Sequence, residues 1–144
     1  MYYTSSYRHG VDEKRRVQIP AKWRPKRAGV EFTIILWPVS IGGAYLRVLP
    51  REQMAQLMQD IDQMPNGDEK STLKRIIGIG AEQAALDKAG RMCLPEMMAK
   101  EAGIAGEAVL VGVLDRFEIW NPERLDKVKQ ADALMAPAAL KLVG

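Results

Sequence analysis

Apolar residues recur along this chain in short bursts, and their spacing changes with each burst. Arg16-Val17-Gln18-Ile19 alternates with a period of two and predicts a short strand. Val30 to Trp37 and Ala108 to Leu114 are strand-like in length and in β-branched content. Each is followed by a turn and a partner strand. Ser40-Ile41-Gly42-Gly43 leads to Tyr45-Leu46-Arg47-Val48-Leu49, and Leu114-Asp115-Arg116 leads to Phe117-Glu118-Ile119-Trp120, so two hairpins are predicted. The period then becomes helical. Met54, Leu57, Met58 and Ile61 form the stripe of an amphipathic helix. Leu125, Val128 and Met135 form a weaker stripe, introduced by Asn121 as N-cap, Pro122 in the first turn and Glu123 as an early acid. Pro20 to Arg27 predicts a brief helical turn limited by Pro25, with Gly29 as its stop. Pro95 to Ala102 predicts a short helix with Pro95 at its first position and Gly103 at C′. Pro65-Asn66-Gly67 breaks the chain, Asp68 to Ile77 reads as a connecting helix, and Ile79 to Leu86 as a strand. Ala136 to Gly144 has little to fix it and reads as a fraying end.

This series of elements is stated twice. Val11-Asp12-Glu13-Lys14-Arg15-Arg16-Val17-Gln18-Ile19-Pro20 returns as Leu86-Asp87-Lys88-Ala89-Gly90-Arg91-Met92-Cys93-Leu94-Pro95, 75 positions later. Both copies read apolar, Asp, three variable positions, Arg, apolar, variable, apolar, Pro. A repeat of about 70 residues has a marginal core and exposed strand edges, and two such repeats are stabilised by packing together. The expectation is therefore a single pseudo-symmetric domain over residues 1–144, with repeats at 7–64 and 79–135.

Composition narrows the chemistry. Cys93 is the only cysteine and His9 the only histidine, which leaves no His/Cys cluster for zinc and little material for a nucleophile with its base. No catalytic residue, cofactor or metal is expected, and Cys93 reads as a packed apolar side chain of a strand. Ile76-Ile77-Gly78-Ile79-Gly80 lacks the Gly-Lys-Ser/Thr ending of a phosphate loop. No apolar run approaches the roughly 20 residues of a membrane span, and the N-terminus lacks a secretory pattern, so a cytoplasmic location is expected. Trp23, Trp37 and Trp120 are expected in the core. The net charge is +3, but the first thirty residues hold eight basic side chains against Asp12 and Glu13. That segment is +6 and the remainder −3, which points either to a polyanionic partner or to a solvated basic face.

Asp-x-x-x-Arg followed by apolar-x-apolar-Pro, twice, with Val109-Leu110-Val111-Gly112-Val113 and Phe117-Glu118-Ile119-Trp120 downstream, resembles the MraZ family. The resemblance runs from about Tyr7 to Leu125 and is strongest from Leu86 to Trp120. It implies an α+β fold: a pseudo-twofold, swapped-hairpin, AbrB-like β-barrel formed by two tandem repeats within one chain, with flanking helices. It also implies a sequence-specific DNA-binding transcriptional regulator, not an enzyme, which acts at repeated boxes upstream of the division and cell-wall gene cluster. Double-stranded DNA, a homo-oligomeric ring and association with the nucleoid are the partners and setting it implies; no membrane or metal partner is implied. An RNA-binding module, or a ring-forming scaffold without DNA function, are the competing readings.

Carried over to this chain, the motif acids fall on Asp12 and Asp87 and the motif arginines on Arg16 and Arg91. The family commonly has Lys-Gly-Arg in this phrase; the second copy keeps the glycine as Gly90, but the first has Arg15 there. A positive φ at that position costs a non-glycine residue about 1–2 kcal/mol, so the first turn either relaxes or tolerates the strain. A β-ribbon fits the ~12 Å major groove, where arginine pairs with guanine and lysine neutralises phosphate. Arg16, Arg15, Lys14, Arg91, Lys88 and Arg8 are accordingly the candidate DNA-binding residues. Asp12, Asp87, Gly90, Pro20 and Pro95 are read as structural, each aspartate locking its turn through the arginine four positions on. Lys22, Arg24, Lys26 and Arg27 are either a phosphate-positioning face or a solvated helix. The charge count makes the first copy the dominant DNA reader, so Arg16→Ala is expected to weaken binding more than Arg91→Ala.

Overall fold

β-Branched and aromatic bursts become strands, and the 3.6-period stripes become helices packed against them. A computed structural model describes residues 2–27 and 31–144, so the expected stop at Gly29 and the strand start at Val30 lie outside the described residues. The order is β1 (Ser6–Gly10), β2 (Arg16–Gln18), a 3-10 turn (Ala21–Trp23), β3 (Glu31–Trp37), β4 (Tyr45–Leu49), α1 (Arg51–Asp62), α2 (Asp68–Gly80), β5 (Ala81–Ala85), β6 (Arg91–Cys93), α3 (Glu96–Glu101), β7 (Glu107–Gly112), β8 (Phe117–Trp120) and α4 (Pro122–Leu140). The protein is α+β, with antiparallel pairing throughout the described strands.

The larger sheet runs β1-β7-β8-β4-β3-β5, and the smaller pairs β2 with β6. Exchanging each strand for its counterpart in the other copy leaves both orders unchanged. The hairpins β3–β4 and β7–β8 meet along β4 and β8, with Leu46 opposite Ile119 and Val48 opposite Phe117. Each copy's first strand pairs with the other copy's hairpin: Tyr7 faces Leu110, and Ala84 faces Phe32. Among the described residues β1 and β5 are the edges of the large sheet, and its hydrogen-bond ladder does not close into a barrel. Both strands leave it through the repeated phrase, making single bridges at Val11–Val17 and Leu86–Met92 before entering the small sheet.

The central strands of the large sheet are buried on both faces, which explains the near-continuous apolar runs of β3 and β4, whereas the edge strands β1 and β5 keep an exposed face. Phe32, Ile34, Leu46, Val48, Leu110, Phe117 and Ile119 face one side, where Val17, Met92, Trp23 and α3 cover them. Trp23 is fully buried, stacks on Phe117 at 4.9 Å, and donates its Nε1–H to the Thr4 carbonyl at 3.2 Å. On the other side Ile35 and Leu49 pack under Ile61 of α1 and Ile77 of α2. Tyr45, Val109 and Trp120 pack under Leu125 of α4.

Several local expectations change. The first helical turn is only Ala21–Trp23, because Arg24 already has an extended backbone (ψ 134°). Pro95 caps α3 rather than entering it, while Gly103 supplies the left-handed residue at C′ with φ +69°. Ile79 and Gly80 belong to α2, not to a strand; Leu73 and Ile77, one turn apart, hold this helix on the cluster around Ile35. α4 continues past Pro137 to Leu140, so the chain end is helical rather than frayed over most of its length. Cys93 is exposed, not packed, because Met92 is the inward residue of β6 and its neighbour points away. Trp37 is half-buried and carries the Arg47 guanidinium 3.4 Å above its ring, whereas Trp23 and Trp120 are core. No described helix is long and apolar enough to cross a membrane.

Candidate nucleic-acid interface

Each repeated phrase folds as a tight hairpin whose turn is closed by its aspartate. In the first, Arg15 N–H donates to the Asp12 carbonyl at 2.9 Å and Asp12 N–H to the Arg16 carbonyl at 3.1 Å. In the second, Gly90 and Asp87 make the same two bonds, with Asp87 N–H on the Arg91 carbonyl, both at 2.9 Å. This is a type I turn followed by a left-handed residue, the common three-residue hairpin connection. Arg15 has φ +61° and Gly90 φ +78°, so the first turn keeps the strained backbone instead of relaxing.

The carboxylates complete the lock. Asp12 Oδ1 accepts from the backbone N–H groups of Lys14 and Arg16 at 2.9 and 2.8 Å, and Oδ2 accepts from Arg16 Nε at 2.6 Å. Asp87 repeats this with Ala89 N–H, Arg91 N–H and Arg91 Nε, each at 2.9 Å. The Arg16 backbone N–H, followed by the Arg16 guanidinium and the Lys14 N–H, holds the Asp12 carboxyl below its ordinary range against an opposing desolvation. The Arg91 backbone N–H, with the Arg91 side chain and the Ala89 N–H, does the same for Asp87. Through these bonds each carboxylate binds both the backbone of its turn and the side chain of its arginine.

The β2–β6 ladder sets Arg16 opposite Cys93, Val17 opposite Met92 and Gln18 opposite Arg91. Val17 and Met92 are buried, so Arg16, Gln18, Arg91 and Cys93 share the opposite face. The two turns lie at opposite ends of this ribbon. Lys14, Arg15 and Arg16 mark one end, Lys88 and Arg91 the other, and both lysines are exposed. The ribbon is tied across its width by equivalent bonds. Ile19 N–H donates to the Gly90 carbonyl at 3.0 Å and Leu94 N–H to the Arg15 carbonyl at 2.9 Å. Gln18 Nε2 donates to the Ala89 carbonyl at 2.8 Å, and at the equivalent place Cys93 Sγ contacts the Lys14 carbonyl at 3.3 Å.

The remaining candidates divide. Pro20 is buried and Pro95 half-buried, each ending its strand of the ribbon; Pro20 precedes the 3-10 turn and Pro95 precedes α3. Arg8 is not brought to the ribbon: it sits on β1 with its Nε on the Glu107 carboxylate. Lys22 lies against the N-terminal segment, with Nζ 3.0 Å from Ser5 Oγ and 5.5 Å from the Tyr7 ring centre. Lys26 and Arg27 are exposed. Arg24, grouped by the sequence with Lys22, Lys26 and Arg27 as either a phosphate-positioning face or a solvated helix, is held by two contacts. Its Nε donates to the Ile19 carbonyl at 2.9 Å and its guanidinium lies on Gly90. No pattern within the repeated phrase signals that contact, because it joins the 3-10 turn of one copy to the hairpin of the other. Among the described residues no group of three or more His, Cys, Asp and Glu side chains is arranged to hold a metal ion.

The fold and ribbon thus define an α+β protein in which two hairpin turns, each closed by an aspartate–arginine pair, stand at the ends of a two-stranded ribbon. Comparison with known sequences gives the lineage. A profile of the family described as "MraZ protein, putative antitoxin-like" matches residues 77–141. A "Transcriptional regulator MraZ" of Leuconostoc citreum is 34% identical over 122 residues, covering 84% of this chain and 82% of its own. The protein of the same name from Roseiflexus castenholzii is 32% identical over 143 residues, covering 97% and 96% of the two chains. That from Rickettsia rickettsii is 32% identical over 130 residues, covering 90% and 87%. The chain belongs to the MraZ family.

Proposed function

We propose that this protein is a sequence-specific, double-stranded DNA-binding transcriptional regulator, and that the β2–β6 ribbon with its two flanking turns is its DNA-reading surface. The carrying observation is the shared outward face of Arg16, Gln18 and Arg91 between two basic turns. A two-stranded ribbon is narrow enough for the ~12 Å major groove, and its outward arginine and glutamine side chains are suited to guanine and adenine edges. Asp12 and Asp87 each hold one edge of an arginine through Nε, which fixes the direction of the guanidinium and leaves its Nη donors for DNA. Lys14, Arg15 and Lys88 are placed to neutralise phosphates and set the register. The names of the relatives support regulation of transcription.

In this reading the repeats 7–64 and 79–135 close one pseudo-symmetric domain over residues 1–144, a swapped-hairpin arrangement supported by strand orders that survive exchange of the copies. The protein acts as a binder and not as an enzyme, in the cytoplasm on the nucleoid, at repeated boxes upstream of the division and cell-wall gene cluster. Copies assemble into a ring, which raises effective concentration on repeated boxes. Exposed Leu134, Met135, Leu140 and Ile79 support association between copies. Titration against duplex DNA from upstream of the protein's own gene, beside a scrambled duplex, tests the reading. Tighter binding to the native duplex is expected, and equal binding to both overturns it.

A further inference from the structure

The two turns differ in sequence, and the difference is made up from outside the repeated phrase. Arg15 stands in the first turn where Gly90 stands in the second. Its Nε crosses the ribbon and donates to the Leu94 carbonyl at 3.0 Å. The position equivalent to Leu94 is Ile19, and a glycine at 90 has no side chain to reach it. The Ile19 carbonyl instead accepts from Nε of Arg24 at 2.9 Å. Moreover, the Arg24 guanidinium occupies the space where a side chain at position 90 would begin. A Cβ built on Gly90 overlaps the Cζ and Nε of Arg24 and stands 2.8 Å from its Nη1. This cover is why Gly90 is buried although its turn is on the surface. The counterpart of Arg24 in the second copy is Ala99, a buried residue of α3 that contributes no charge.

Each end of the ribbon therefore carries one guanidinium on an equivalent carbonyl, supplied by Arg15 at one end and by Arg24 at the other. In both, Nε is held by main chain, and among the described residues neither side chain makes an ion pair. Both arginines are half-buried. We infer that Arg24 is a DNA-backbone contact of the second turn, the counterpart of Arg15 in the first, so that both ends of the ribbon grip phosphate alike. This rests on the DNA-binding reading above. A guanidinium pinned through Nε at the ribbon's end has a fixed position and keeps its Nη donors, which suits a phosphate contact that sets register rather than one that reads a base.

The inference changes the expected balance between the copies. The charge count alone made the first copy dominant, but with Arg24 added to the second turn, Arg16→Ala and Arg91→Ala weaken DNA binding to similar extents. The direct test measures affinity for the native and scrambled duplexes across a salt series, using the full chain, Arg24→Ala, Arg24→Gln and Arg15→Gly. Circular dichroism and urea midpoints confirm folding. Loss of one phosphate contact lowers the slope of log affinity against log salt by about 0.9 and weakens both duplexes in proportion. We expect that result for Arg24→Ala and for Arg15→Gly. Arg24→Gln keeps an N–H donor at the place of Nε, within reach of the Ile19 carbonyl, but lacks the charge and the Nη donors, so it gives the same fall in slope should the alanine variant fail to fold. If folded Arg24 variants keep the full slope while the unaltered chain binds the native duplex with salt-dependent preference, Arg24 is only a structural prop and the inference is overturned. If the unaltered chain shows no salt-dependent preference for either duplex, the DNA-binding reading fails first.

Discussion

Replacing Gly90 by alanine tests how the second turn is held. Two separate costs arise. The backbone at position 90 has φ +78°, and an L-residue there pays about 1–2 kcal/mol. The new Cβ also meets the Arg24 guanidinium, whose Nη1 stands 2.8 Å away where carbon contacts normally begin near ~3.5 Å. Arg24 must retreat, and its Nε bond to the Ile19 carbonyl, now 2.9 Å, is lost. That bond contributes about 1 kcal/mol net at a half-buried site. Gly90→Ala should therefore destabilise the protein by about 2–3 kcal/mol. In an Arg24→Ala background the guanidinium is already gone, and only the backbone cost of about 1–2 kcal/mol remains. Urea unfolding of the unaltered protein, both single variants and the double variant gives the coupling directly. A coupling near ~1 kcal/mol, with the double variant more stable than the singles predict, is expected. Additivity within ~0.5 kcal/mol would mean that Arg24 and Gly90 do not share this space.

Two further perturbations probe the lock and the core. Asp12 and Asp87 both have folded-state pKa values below the ordinary carboxylate value of about 3.9, so their stabilisation is present above that pH and is lost as pH falls through the folded values. The double variant Asp12→Asn, Asp87→Asn should be less stable than the unaltered protein at pH 7, with the difference shrinking below about pH 3.9; a pH-independent difference in urea midpoint would argue against the carboxylate lock. Trp23→Ala removes a fully buried indole packed on Tyr3, Tyr7 and Phe117, and should cost about 3–5 kcal/mol and weaken the near-ultraviolet circular dichroism; a loss under ~1 kcal/mol would place Trp23 outside the core.

The features that sequence revealed are those set within a few residues. The repeated phrase predicts its own turns, because an aspartate four positions before an arginine closes each one. Asn121 is read as an N-cap and accepts the Arg124 N–H at 3.0 Å. The hairpins at Ser40–Gly43 and Leu114–Arg116 also follow from local turn chemistry. What sequence did not reveal depends on partners distant in the chain. Ile79 has strand-like neighbours, yet α2 carries it because Ile77 is anchored under Ile35, some forty residues earlier. Cys93 looks apolar in isolation, and only the pairing of Met92 with Val17 settles which side of β6 faces water. Arg24 has the same character: its five-residue reach back to Ile19 has no sequence signature, and its meaning comes from a glycine in the other repeat. Arg15 shows the converse. A local rule disfavours it in a left-handed turn, and its bond to the Leu94 carbonyl across the ribbon offsets part of the strain.

In the proposed function one ribbon, armed at both ends, reads DNA. Fluorescence anisotropy with a labelled duplex from upstream of the protein's own gene, across a salt series, tests it most directly when Arg16→Ala/Arg91→Ala is measured beside the unaltered chain. The predicted result is tight, salt-sensitive binding that favours the native duplex over a scrambled one, with the double variant losing that preference while remaining folded. A folded double variant that still prefers the native duplex as strongly as the unaltered chain would contradict the claim.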